Sequence, residues 1–269
     1  RLFQEGYLPS QVTTRSYILK DKEYYLPVVS LVTDPDNLYD NTIGIYVTGT
    51  NGKTANQDNT KRNFNMDWER PAFFADKPYH KHKQLLLRNG GNDEYNQTRL
   101  KDVSLQEIAR VSEFPLNLQS HQPVHVFVNG SYLAMLNLRE PSNRNFGVSN
   151  YGMDDDEMDS FEMSVDSGYV QKSGTKEAFL TWKSLSEQAA DELTYQQICD
   201  LVDIDDYTNY MAFKFYLNDW DWPHNNAKGF RSRQDGKFHF MVFDLDNCVD
   251  RTGNNIFQDF AGKQVYTFY

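Results

Sequence analysis

The sequence predicts an α+β protein built as two lobes, a β-rich one over residues 1–138 and a mainly helical one over 139–269 that carries a hairpin near its end. Three observations predict it. Runs of β-branched and aromatic residues separated by turn formers fill the first half, helical periodicity takes over near Thr175, and a strand–turn–strand ribbon over 228–243 interrupts the helices. At 269 residues, 39% hydrophobic and 14% aromatic, the chain can bury a substantial core.

The elements follow in order. PVVSLVT at 27–33 and the stretch 43–48 are rich in β-branched residues and are separated by DPDNLYDN, which is dense in turn formers. A further strand is expected at 84–88, before Gly90 and Gly91. Over 100–112 apolar residues recur at 100, 103, 105, 108, 109 and 111, an imperfect helical stripe. Asn129-Gly130 is the strongest hairpin turn in the chain, flanked by strands at 124–128 and 132–138. Thr175 can cap a helix running through KEAFLTWKSLSEQAADEL, with Phe179, Trp182 and Leu185 on one face. Asp203 or Asp205 can cap the next, whose aromatics Tyr207, Tyr210, Phe213 and Tyr216 read as core. The polar segment after 247 reads as a loop, and no internal repeat or low-complexity segment occurs.

The chemistry concentrates in the run from Asp219 to Asp246, DWDWPHNNAKGFRSRQDGKFHFMVFDLD. Asp221 follows a long apolar segment, where a helix gives way to a loop, and Asn226 comes after four intervening residues. Strands at 228–233 and 237–243 flank Asp235-Gly236, a strong turn signal because Gly accepts positive φ, and Asp244 closes the hairpin. Antiparallel pairing therefore brings Asp221, Asn226 and Asp244 to one edge of the ribbon. A carboxylate, a carboxamide and a second carboxylate are the set that phosphoryl transfer uses: an Asp-x4-Asn loop supplies the group that orients the attacking hydroxyl and one magnesium ligand, and an Asp two strands later holds the metal. The plainer alternative is that these Asp and Asn residues only form turns.

These residues resemble a family. NDWDWPHNNAKGFR followed by GKFHFMVFDLDN is similar to the signature of the spore coat protein H (CotH) kinase-like family, and LPVVSLVTDPDNLYD, DWERPA, LLLRNGGND and VHVFVNGSYLAMLNLREP extend the likeness over most of the chain. The resemblance implies an atypical protein-kinase-like fold with a β-rich nucleotide cover, ATP with Mg2+ or Mn2+ as cofactors, and phosphate transfer to Ser or Thr of a protein. Carried over by motif, Asp221 matches the catalytic Asp, Asn226 the loop Asn, Asp244 the metal-binding Asp and Asp246 the second acid of the pair, so that Asn226, Asp244 and Asp246 are the expected metal-holding residues. In the same reading LNLREP lies against the adenine, with Glu140 as the hinge candidate. One departure stands. Relatives carry a Gly-rich turn and a Lys-Ser strand after a DWERPA-like segment, whereas this chain runs directly into FFADKPYHKHKQLLLRN. Neither Lys81 nor Lys83 matches the motif, so the nucleotide cover is shortened or a segment is missing between Pro71 and Ala72. That departure supports the alternative of a catalytically degenerate, kinase-shaped binding or cell-surface module.

Competing motifs carry less. VTGTNGKT at 47–54 resembles the phosphate loop of Mur ligases and folylpolyglutamate synthetases, but ANQDNTKRNFN after it has no apolar stripe to form the required helix. DLDNCVD starts like a calcium loop yet has Val249 at position six and Asn255 at position twelve. His121 and His125 lack an acidic partner at metal-site spacing, and His224 in the loop reads as exposed. Cys199 and Cys248 read as small buried side chains, with a disulfide open to an exported protein.

A formal net charge of -11 argues against nucleic acid and anionic membranes as main partners and favours a basic protein substrate. The acids of 154–166 read as a solvated loop or, more sharply, as a docking surface for a basic peptide. No stretch approaches about 20 apolar residues, so no transmembrane segment is expected. The opening RLFQEGYLPSQ has no signal-peptide apolar core and reads as the middle of a longer chain. The resemblance points to the cell envelope or exterior.

Overall fold

A computed structural model describes residues 5–6, 17–19, 23–36, 73–77, 85–88, 90, 93, 100–188, 191–234, 236–251, 253 and 255–262. The expected strand at 43–48, the GTNGKT segment, the Pro71–Ala72 junction, Lys81, Lys83 and Asp235 lie outside the described residues. Among those described, the fold is α+β with two sheets and six α-helices. By contacts the chain divides into two compact units.

The first unit holds β1 (Val28–Leu31), most of β2 (Leu86–Arg88), β4 (His121–Val128) and β5 (Ser131–Arg139), which form one sheet in the order β1-β4-β5-β2. β1 runs parallel to β4, with Val28 opposite His125. Asn129 at φ 50° and Gly130 at φ 84° make the left-handed two-residue turn that the Asn-Gly pair demands.

The second unit contains α1 (Lys101–Val111), β3 (Asn117–Leu118) and the described chain from Arg139 onward. Its sheet is ordered β3-β9-β8-β6-β7, where β6 is Met158–Ser164, β7 Gly168–Ser173, β8 Ala227–Ser232 and β9 His239–Val242. β3 pairs parallel to β9 and the other neighbours pair antiparallel. Of this sheet the sequence reading anticipated β8 and β9 as the hairpin of the second half but not β6 and β7.

The β6–β7 hairpin at one edge of that sheet occupies part of the acidic run that was read as a loop. Phe161 and Met163 face the core, while the acids find cations across the strand: Asp159 sits opposite Arg231 and Glu162 opposite Lys228. Opposite charges at facing positions stabilise a pair of strands, so Asp159 and Glu162 of that run pair with a basic partner strand. Gly229 is required on β8 because a Cβ there would come 2.4 Å from the Phe161 ring.

The helices depart from expectation at their ends. α2 (Arg144–Tyr151) opens on Asn143, whose side chain accepts from Asn145 N. Thr175 does not cap α3 (Glu177–Ser186). The cap position is Lys176, and the Thr175 N–H instead donates to Asp159 Oδ1 at 2.8 Å. The expected single helix to 193 stops at Ser186, and α4 (Glu192–Leu201) starts afresh with Asp191 accepting from Thr194 N at 2.7 Å. α5 (Ile204–Tyr216) is capped by Asp203, with Asp205 and Asp206 in its first turn and Lys214 in its last, the charge order that the helix dipole favours. α6 is Ile256–Gly262.

The core of this unit is aromatic. Tyr210 stacks on Phe240 with centroids 5.5 Å apart, Tyr169 lies 4.1 Å from Phe179, and Trp182 packs edge-on to Phe240. Such rings contribute area burial plus about 0.5–1.5 kcal/mol per well-placed pair. The effect on the site is mechanical: α5 and β9 are fixed against each other, and each ends at one half of the Asp219–Asp246 run.

Candidate active site

The hairpin reading holds in its geometry: β8 and β9 pair antiparallel with Lys228 opposite Met241, so the chain before β8 and the chain after β9 meet at one end. Gly236 does not take a positive φ. It is needed because a Cβ would lie 2.6 Å from Ser232 N.

Asp221 is the centre of the arrangement. Its Oδ2 accepts from Asn225 Nδ2 at 3.2 Å, Asn226 Nδ2 at 3.0 Å and Asn247 Nδ2 at 3.1 Å. Asn225 and Asn226 belong to its own loop, and Asn247 comes from the segment after β9. The three amides fix one oxygen, while Oδ1 faces His224 Nε2 at 3.9 Å. Burial pushes the Asp221 carboxyl above the usual carboxylate range. The hydrogen bonds of Asn247 and Asn225 oppose that shift, and the charges of Asp219 and Asp244 add to it.

Asn226 (φ 54°) and Asp244 (φ 55°) both adopt the left-handed backbone that Asn and Asp tolerate better than other side chains. With its amide nitrogen donated to Asp221, Asn226 presents its carboxamide oxygen as an acceptor. Asp246 is 2% exposed and joins through its backbone: its carbonyl accepts from Lys101 Nζ at 2.9 Å, and the next residue is the Asn247 that binds Asp221.

The β9–Asp246 segment is held from two helices. Asp102 of α1 accepts from Leu245 N at 2.9 Å and pairs with Arg139, which is itself 0% exposed. From α5, Lys214 pairs with Asp219 at 2.7 Å, both fully buried, and its Nζ reaches Phe243 O at 3.5 Å. Burial would lower the Lys214 pKa, but the Asp219 charge, with Tyr210 and Cys248, holds it above its ordinary value, so it stays charged.

Glu140, the hinge candidate, donates its N–H to Ser120 O at 3.1 Å, and its carbonyl accepts from Gln119 Nε2 at 2.6 Å. Its carboxylate accepts from Ser120 N and Asn150 Nδ2 and lies 3.7 Å from Lys77 Nζ. Glu140 thus clasps the ends of β3 and β5 to α2. Cys199 and Cys248 are free thiols.

Sequence reasoning missed Asn225, Asn247, Asp102, Lys77 and Lys214. The Asn pair was visible in HNN and DLDN but reads as turn chemistry. A lysine within the apolar stripe YMAFKFYL is the signal that could have found Lys214, since a charge on a buried helix face needs a partner.

The donors suit a hard cation. Among the described residues no group of three or more His, Cys, Asp or Glu could hold a metal, so any ion here would rest on one or two carboxylates and a carboxamide, with the remaining positions left to phosphate and water. Magnesium is bound in that manner beside nucleotides, and all the oxygens are of the type it prefers.

The family model described as CotH kinase protein matches residues 49–267, more than half of the chain. No curated protein is found to match it. The chain belongs to the CotH kinase family.

Proposed function

From that membership, we propose that the chain is an ATP-dependent phosphotransferase that passes a phosphoryl group to a Ser or Thr hydroxyl of a protein, with Mg2+ or Mn2+ as the ion. The observation that carries the reading is the Asp221 carboxylate, tied by three amides, one of them from the segment that follows Asp244. Transfer passes through a loose transition state, so positioning and charge neutralisation supply most of the rate. Asp221 orients the acceptor hydroxyl and takes its proton. Its raised pKa brings it closer to working pH, where a general base is more effective. The amides of Asn225 and Asn247 keep Oδ2 fixed, which aims Oδ1 at the acceptor. Asn226 and Asp244 would hold the ion, which supplies neutralising charge to the phosphates, and Asp246 supports Asp244 from the same turn. A basic protein acceptor suits the net charge of -11. Among the described residues no helix is long and apolar enough to cross a membrane.

The test is transfer from γ-labelled ATP to the chain itself and to a basic Ser/Thr-containing protein, with and without Mg2+. Asp221→Ala and Asp244→Ala are each expected to reduce metal-dependent transfer by at least about 100-fold, the low end for a general base or a charge-stabilising group. Nucleotide binding that needs no metal and ignores both substitutions would remove the assignment. It would favour the kinase-shaped binding module, the reading supported by the departure between DWERPA and FFADK.

A further inference from the structure

Lys214 has no role in the chemistry outlined above, yet it sits where the two halves of the site converge. Its ammonium is fully buried between Asp219, two residues before Asp221, and the carbonyl of Phe243, one residue before Asp244. A buried ion pair is a poor device for stability alone, because well-packed apolar residues of similar volume often do as well or better. The surroundings show what else the pair does. Val249 N donates to Leu217 O at 2.8 Å and Asn218 Nδ2 to Arg251 O at 2.8 Å. The Arg251 guanidinium lies 3.8 Å over the Trp220 ring. The segments 217–226 and 243–251 are thus laced along their length, and Lys214 is the cation at the base of that lacing, reaching both strands of it from a third element, α5.

We propose that Lys214 is a positioning residue that sets the separation of Asp221 and Asp244 by holding Asp219 and the Phe243 carbonyl on one ammonium. The inference rests on the phosphotransferase reading for its catalytic consequence, but its structural content stands apart from it. The Asp219 carboxylate draws the Asp221 loop toward α5, and the Phe243 carbonyl draws the end of β9 to the same point. With the charge removed, the two segments keep their outer contacts and lose the common origin from which both acids project. Displacement of a catalytic group by about 1 Å costs on the order of 100-fold in rate.

The discriminating experiment uses Lys214→Met and the paired variant Lys214→Met/Asp219→Leu, with denaturation midpoints, the side-chain NH2 signals of Asn226 and Asn247 in nuclear magnetic resonance spectra, and transfer from γ-labelled ATP. Lys214→Met alone leaves a buried carboxylate and is expected to unfold readily. The paired variant removes both charges and is expected to recover the wild-type midpoint while the Asn226 and Asn247 NH2 signals lose their slow exchange and distinct shifts, and transfer stays about 100-fold down. Should the paired variant not fold, Lys214→Met/Asp219→Asn, which also removes both charges and keeps the volume of residue 219, takes its place with the same expected signals. Unchanged NH2 signals in a folded charge-free variant would overturn the proposal and leave Lys214 a core charge only. If the wild type transfers no phosphate and the signals still collapse, the functional reading fails and the positioning role stands.

Discussion

Two helices grip the same five residues, Val242 to Asp246, by opposite means. α5 presents Tyr210 and Phe213 to the aromatic core and reaches the segment with a single charge. α1 buries Val103 and Ala109 beside Asp102 and Gln106, and exposes Ile108 and Val111, at 61% and 75%. Its inner face is half polar because its task is to accept backbone donors: Asp102 takes Leu245 N, and Gln106 Oε1 takes Gln119 N at 2.9 Å. The difference teaches that a helix serving a site can sacrifice its apolar stripe, while one serving a core keeps it.

The hardest way to break that contrast is Asp102→Ala. It leaves the Arg139 guanidinium and the Leu245 N–H buried without their carboxylate, for which loss of one member of a buried pair costs about 3–5 kcal/mol. Urea unfolding should show that loss. A change below about 1 kcal/mol would mean that α1 holds the segment by packing after all.

Next comes a pH effect on the α5 side. Burial pushes the Asp206 carboxyl up to about 7, against hydrogen bonds from Phe240 N at 2.7 Å and Asn117 Nδ2 at 2.8 Å, with the Asp203 charge adding to the rise. His239, 3.8 Å away, is held below its usual range by burial. Because the folded pKa lies above the unfolded 3.8, the native state binds more protons between those values. The stability this group contributes is complete below about pH 4 and is lost as pH rises through about 7, a swing of order 4 kcal/mol at most for a shift near three pKa units. Comparing unfolding midpoints at pH 5 and pH 8, Asp206→Asn should flatten the fall seen in the wild type. Parallel curves for the two proteins would discard the effect.

The smallest effect belongs to the rim of the sheet. Lys172 pairs with Glu162 at 2.8 Å, but its side chain is 48% exposed, and exposed pairs contribute about 0–1 kcal/mol. Lys172→Ala should move the midpoint by under about 0.5 kcal/mol, and by less at high salt. A larger loss would show that the cross-strand charges of β6 are structural in the way that Asp102 is.

Legibility in the sequence follows the same division. The α5 stripe, the Asn129-Gly130 turn and the β8–β9 ribbon were readable because apolar spacing and turn chemistry are local signals. Asp221 and Asn226 were readable because a short loop brings one onto the other, and Asp244 because the hairpin returns the chain to the same end of the ribbon. Asp102 and Lys214 were hidden, since their partners stand 143 residues away at Leu245 and 29 residues away at Phe243. The β6–β7 hairpin was masked by its acids, Asp159 and Glu162, which face Arg231 and Lys228 on β8, far along the chain.

The clamping of Phe243, Leu245 and Asp246 bears on control. One lysine holds the first carbonyl, an aspartate the second amide, and another lysine the third carbonyl. On the proposed phosphotransferase reading, any swing of Asp244 with its flanking turn would sever three anchors drawn from two separate helices, so an on–off mechanism is better sought in what reaches Asp221 from outside.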